Sequence, residues 1–143
     1  MLLRHGTATG LVAVAFGAGL FVGRTAPVDA QAKGRVFELR TYIASAGKND
    51  RLIDRFRKDT TRLFEKHGMK NVGYWVPTDP PDSPNTLIYI LAHESRDAAT
   101  KSWEAFRQDP EWLKLAEETQ KDGPLVSKIE AVFMTATDFS PIK

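Results

Sequence analysis

The sequence contains no cysteine. That excludes a disulfide framework, thiolate zinc sites, iron–sulfur clusters and a cysteine nucleophile. It also lacks an excess of charge of either sign. Twenty Lys and Arg meet 18 Asp and Glu, a net charge of +2. So even a balance argues against nucleic acid as a partner. Phosphate-loop, dinucleotide-fold and nucleophile-elbow glycine patterns do not occur. Beyond the N-terminal segment histidine is reduced to His67 and His93. Two histidines without an i,i+4 spacing make no metal site, so neither a metal nor a cofactor is assigned. No repeat or low-complexity segment is present. A length of 143 residues fits one domain and is ample for a core without staples.

Residues 1–32 differ from the rest. They hold 18 apolar residues and three charges, Arg4, Arg24 and Asp29. Arg4 precedes an apolar run from Leu11 to Val22, and Ala30-Gln31-Ala32 follows. Small residues at the first and third places of that triplet suit a signal peptidase. The run is short of the ~20 residues that span a bilayer. The expectation is a secretory signal cut after Ala32, and export to the periplasm or outside the cell. The alternative is an uncleaved membrane anchor. Removing 32 residues leaves a domain of 111, residues 33–143.

In that domain Arg35 to Ile43 alternates with period two, which predicts a strand. From Lys48 to His67 the spacing becomes helical, with Leu52, Ile53, Phe56, Leu63 and Phe64 on one stripe. Gly68 ends that helix. Asn71 to Val76 reads as a second strand. A stiff loop, PTDPPDSPN, holds four of the eight prolines. Thr86 to Ala92 is a third strand. Ser95 caps a helix from Arg96 to Gln108. Asp109-Pro110-Glu111 starts another, which stops at Gly123-Pro124. Ile129 to Ala136 is the fourth strand.

The order β-α-β-β-α-β predicts an α+β, ferredoxin-like fold: a four-stranded antiparallel sheet with helices on one face. The third and fourth strands are apolar on both faces, and no spare element remains to cover the second. A second copy is the economical cover, so a homodimer through the sheet face is expected.

Four stretches carry a family resemblance. They are Phe37-Glu38-Leu39-Arg40-Thr41-Tyr42, Gly47-Lys48, Val72-Gly73-Tyr74-Trp75 and Asp109-Pro110-Glu111-Trp112. In this order and spacing the chain resembles the NIPSNAP family, a branch of the dimeric α/β-barrel superfamily. The resemblance implies a ferredoxin-like protomer that pairs through its sheet into a barrel. The superfamily includes cofactor-free oxygenases, small-molecule cyclases and heme-handling proteins, so the name supplies a fold and little chemistry. The chain departs from the family at His93-Glu94-Ser95, where Tyr-Glu-Ser is frequent. It departs again at Ala98-Ala99, where arginines are frequent. Both departures bear on the ligand.

Arg40, Tyr42 and Glu38 share one face of the first strand, taken to point away from the helices and into the dimer. Arg40 either pairs with Glu38 or binds an anionic ligand group, with Tyr42 donating a hydrogen bond. His93 is either an acid/base at a pocket mouth or a solvated strand end. Tyr74 and Trp75 point to opposite faces of the second strand. Asn71 and Trp75 together suit an aromatic substrate, with Gly73 leaving room beside Trp75. Trp103 and Trp112 read as helix core. The basic cluster Arg51, Arg55, Arg57, Lys58, Arg62 and Lys66 reads as a mixed, solvated face. The expected function is a small-molecule-binding protein with an apolar or aromatic ligand held in a mostly apolar pocket between sheet and helices. The alternatives are a cofactor-independent oxygenase or isomerase acting through His93, Tyr74 or Trp75, and a structural or protein-interaction module.

Overall fold

The first strand, VFELRTYIA, is rich in β-branched and aromatic residues and becomes a central strand of the sheet. The computed structural model describes residues 34–82 and 85–143. Residues 1–32, with the expected cut after Ala32, lie outside them. Among the described residues no helix is long and apolar enough to cross a membrane.

The chain runs through β1 (Val36–Ala44), α1 (Asn49–Arg55), a π-helical turn (Phe56–Thr60) and α2 (Thr61–Lys66). It continues through β2 (Lys70–Trp75), β3 (Thr86–His93), α3 (Arg96–Gln108), α4 (Pro110–Thr119) and β4 (Val126–Thr135). The four strands form one sheet in the order β2-β3-β1-β4, antiparallel at every pairing. This is the expected α+β, ferredoxin-like architecture.

Local chemistry explains the boundaries. Gly68 adopts φ +77°, which a side chain resists, and ends α2 at the expected place. Ser95 caps α3 by accepting from the Ala98 amide at 3.0 Å. Asp109 caps α4, accepting from the Glu111 amide at 2.7 Å, and Pro110 fills the first turn, where its missing N–H costs nothing. The single helix expected from Lys48 to His67 contains a π turn. There the Thr60 hydroxyl donates to the Arg55 carbonyl, five residues back, at 3.2 Å. The wider turn brings Thr60 and Arg55 onto the buried side.

The core lies between sheet and helices. Leu52, Phe56, Leu63 and Phe64 pack on Tyr42, Leu87, Tyr89 and Leu91. Tyr74 stacks on Tyr89 with centroids 5.4 Å apart, and Tyr42 meets Tyr89 edge-on at 5.2 Å.

Two orientations differ from expectation. The face of β1 carrying Glu38, Arg40 and Tyr42 points toward the helices. Tyr42 packs edge-on against Phe56, and Arg40 lies over Trp103. Phe37, Leu39 and Ile43 face the other way. Periodicity shows which residues share a face but not which face the helices cover, and here the mixed face is covered because its polar groups satisfy one another. The second difference is in β2. A bulge between Asn71 and Gly73 opposes Asn71 to Leu91 and Tyr74 to Tyr89, so Asn71 joins Tyr74 rather than Trp75. The Tyr74 hydroxyl donates to Asn71 Oδ1.

Among the described residues no helix lies on the outer sheet face. Phe37, Val72, Ile90, Met134 and Ile142 line a hollow of about 300 Å³ there. Trp75 and Val132 lie on the same face, each at least half exposed. Among the described residues no charged side chain lines the hollow; the charged clusters lie on the other face.

Candidate functional site

Glu38 comes from β1, His93 from the end of β3 and Trp103 from the middle of α3. The Glu38 carboxylate is 1% exposed and accepts three donors. Arg40 Nη1 donates to Oε1 at 2.6 Å. His93 Nε2 donates to Oε2 at 2.9 Å, and Trp103 Nε1 donates to the same oxygen at 2.7 Å. Burial alone would raise this carboxyl group. The donors His93, Trp103 and Arg40 outweigh burial and hold it below the ordinary value of 4.5. Arg40 is correspondingly raised: burial would lower it, but Tyr42, Tyr89 and Glu38 outweigh that.

His93 is therefore not a solvated strand end. It is 2% exposed. An ionised Glu38 only accepts, so the proton of a neutral imidazole sits on Nε2. His93 Nδ1 is buried and without a partner, and in the neutral ring it is an acceptor.

Beside this cluster opens a groove of about 280 Å³. Its polar walls are Arg40, Arg96, Arg107 and Glu38, and its apolar walls include Trp103 and Phe133. The Arg40 guanidinium lies 4.3 Å from the Trp103 ring, and that of Arg96 lies 3.3 Å from the Phe133 ring. Arg40 pairs with the saturated Glu38 carboxylate, while Arg96 and Arg107 line the groove as exposed residues. The groove therefore presents spare positive charge beside aromatic surface.

The sequence candidates divide. Arg40 and His93 meet through Glu38. Tyr42 lies beside Arg40, 5.5 Å from the guanidinium to the ring, but its ring belongs to the core. Tyr74 is packed against Phe56 and Tyr89 in the core. Trp75 is on the opposite face, half exposed, its ring over Gly73 where a Cβ would stand 2.6 Å from it. So His93, Tyr74 and Trp75 do not converge on one pocket.

Trp103 has a second role besides packing, since its indole N–H holds Glu38. Arg96 and Arg107 escaped notice, although Arg96, Thr100, Trp103 and Arg107 have the 4-3-4 spacing of one helical stripe. All four line the groove. Arg55 does not belong to a solvated face: it is 6% exposed. His67 is joined to Asp109, Nε2 to Oδ2 at 2.6 Å, and Lys66 reaches the same oxygen at 2.7 Å. Hydrogen bonds from Lys66 and His67 hold the Asp109 carboxyl well below the carboxylate range. That cluster ties α2 to α4. Among the described residues no group of three or more His, Asp or Glu is arranged to hold a metal ion.

The profile of one family, NIPSNAP, matches residues 37–141. The chain belongs to the NIPSNAP family. Solved NIPSNAP structures share its fold. One, a family protein of unknown function from Agrobacterium tumefaciens str. C58, is 22% identical with a TM-score of 0.67. The match covers 78% of this chain and 96% of that one. A NIPSNAP-like domain protein from Burkholderia xenovorans is 16% identical with a TM-score of 0.65, covering 76% and 90%. A cofactor-independent oxygenase from Streptomyces nogalater, solved in a mutant form, is 18% identical with a TM-score of 0.50, covering 75% and 97%. At such identities the likeness carries the fold alone. Comparison with curated proteins found no match. What a NIPSNAP chain does must therefore be argued from its own groove.

Proposed function

We propose that this NIPSNAP protein binds a small organic anion with an aromatic or apolar body, in the groove between its sheet and α3. The observation that carries this is the surplus of guanidinium charge over aromatic surface. Glu38 neutralises Arg40, while Arg96 and Arg107 stand at the same groove and form no ion pair with a carboxylate among the described residues. A ligand carboxylate would complete the charge, and Trp103 and Phe133 would cover its ring. A signal cut after Ala32 would place this outside the cytosol. A second copy, seated on the apolar outer face, would form a homodimer.

The test is a calorimetric titration of the full chain with 1-naphthoate, with 1-naphthamide as the neutral control. The acid binds and the amide does not. Arg107→Gln removes one charge-assisted hydrogen bond and weakens binding roughly 10-fold or more. Equal binding of acid and amide contradicts the reading.

One observation favours a second reading, a cofactor-independent oxygenase or isomerase. Glu38 fixes the His93 tautomer and leaves Nδ1 as an unpartnered base. The His93 side chain is fully buried and lines none of the three cavities, so a substrate could meet this base, and lose an acidic C–H proton to it, only if the end of β3 opens. A search for hydrogen–deuterium exchange into bound aromatic ketones, in wild type and His93→Gln, decides it. Exchange that does not depend on His93 rules this reading out.

A further inference from the structure

Arg55 ends α1, at the point where the helix widens into its π turn. Its Nη1 donates to Thr119 Oγ1 at 3.2 Å, and its guanidinium lies 5.0 Å from the Trp112 ring. Its Nε is buried and has no hydrogen-bond partner. It forms no ion pair with a carboxylate among the described residues; the titratable groups acting on it are Tyr42 and Tyr89. A guanidinium does not shed its proton in a protein, so this is a buried cation without a counter-ion. Arg40, on the same face of the sheet, has Glu38.

Beside Arg55 is a cavity of about 200 Å³, walled by Tyr42, Phe56, Phe64, Phe106 and Trp112, with Gln120 at its margin. Tyr89 packs behind the Tyr42 and Phe56 walls and does not itself line the cavity. The Tyr89 hydroxyl is fully buried and unpartnered, and its ring is 5.2 Å from both Tyr42 and Phe56. Burial pushes this hydroxyl up, so it stays a donor. A buried cation without a counter-ion, at the wall of an aromatic cavity, describes a site built for an acceptor with negative charge.

We propose that this cavity is a second ligand site, for a small carboxylic acid with an apolar body. The carboxylate takes the Arg55 fork, and the apolar part lies against the aromatic walls. The cavity is below the ~300–1,000 Å³ of drug-sized pockets, so a single ring or a short chain is the upper size. This site shares no lining residue with the Arg96–Arg107 groove.

The experiment is nitrogen–proton NMR of the full chain, titrated with benzoate and with hexanoate, each against its neutral amide. The Trp112 indole and Arg55 Nε signals report the cavity, and the Trp103 indole signal reports the groove. At least one acid moves Trp112 and Arg55, and the amides do not. Arg55→Met abolishes the Trp112 response, while Arg107→Gln leaves it intact. Arg55→Lys keeps the charge without the fork and weakens the acid about 10-fold; it serves if Arg55→Met does not fold. No response to either acid, an equal response to the amides, or a response that survives loss of the Arg55 fork overturns the proposal. Loss of the groove response alone leaves it standing.

Discussion

Replacing Glu38 by leucine removes the one acceptor shared by Arg40, His93 and Trp103. Leucine is close in size, so packing changes little and the effect is electrostatic. Breaking a buried pair by deleting one partner costs ~3–5 kcal/mol. The Arg40 side chain keeps 15% exposure, so it can recruit water through the groove, which favours the lower half of that range. Each orphaned N–H of His93 and Trp103 costs ~1–3 kcal/mol, and the three losses overlap because they share one carboxylate. The expected loss is therefore about 3–5 kcal/mol in all. Total stabilities are only ~5–15 kcal/mol, so this is a large fraction. Urea unfolding followed by circular dichroism, at fixed protein concentration and neutral pH, measures it. The double variant Glu38→Leu/Arg40→Leu no longer buries a lone charge and recovers at least ~1 kcal/mol over Glu38→Leu. A loss below about 1 kcal/mol for Glu38→Leu would refute the reasoning. So would a double variant whose loss equals the sum of the singles.

Acid should act through the same carboxylate. Because the folded-state pKa of Glu38 is lowered from 4.5, its stabilisation is present above that value and is lost as pH falls through the lowered one. Asp109, lowered from 3.8, adds with the same sign. The urea midpoint should drop below about pH 4.5, and Glu38→Gln should flatten the drop; an identical profile in the variant contradicts this. Gly73→Ala places a Cβ 2.6 Å from the Trp75 ring, which is half exposed and can swing aside. Tryptophan emission should shift while stability changes by under ~1 kcal/mol, and a larger loss means the ring is held in place. On the outer face, Val132→Glu sets a charge beside Leu39. If a second copy covers that face, sedimentation should show dimer in wild type and monomer in the variant; a wild-type monomer refutes the pairing.

What the sequence discloses about this fold is uneven for physical reasons. The capping residues Ser95 and Asp109 and the stop at Gly68 are local chemistry, so they are visible without coordinates. The Glu38–Arg40 pair is visible because residues two apart on a strand share a face. Which face the helices cover is a long-range property. Phe37, Leu39 and Ile43 look more like core than Glu38 and Arg40 do, yet the helices lie over Glu38 and Arg40, and Phe37 is buried on the opposite face. The missing information is His93 and Trp103, which lie 55 and 65 residues away and satisfy the carboxylate. The bulge at Asn71–Gly73 inserts a residue that periodicity does not count, so Asn71 changes sides. The π turn does the same on the helix. It draws in Arg55, which composition alone places among solvated charges. The groove stripe Arg96, Thr100, Trp103 and Arg107 follows helical spacing, but its one aromatic, Trp103, has the pattern of a core residue.

The proposed seat of the small organic anion is between the sheet and α3, not on the outer face. Nuclear Overhauser contacts between 1-naphthoate ring protons and the side chains of the full chain test it most directly. Contacts to Trp103 and Phe133 are expected, with the carboxylate shifting the Arg107 signals. Contacts to Val132 and Met134 instead, or no contacts at saturating acid, would contradict it.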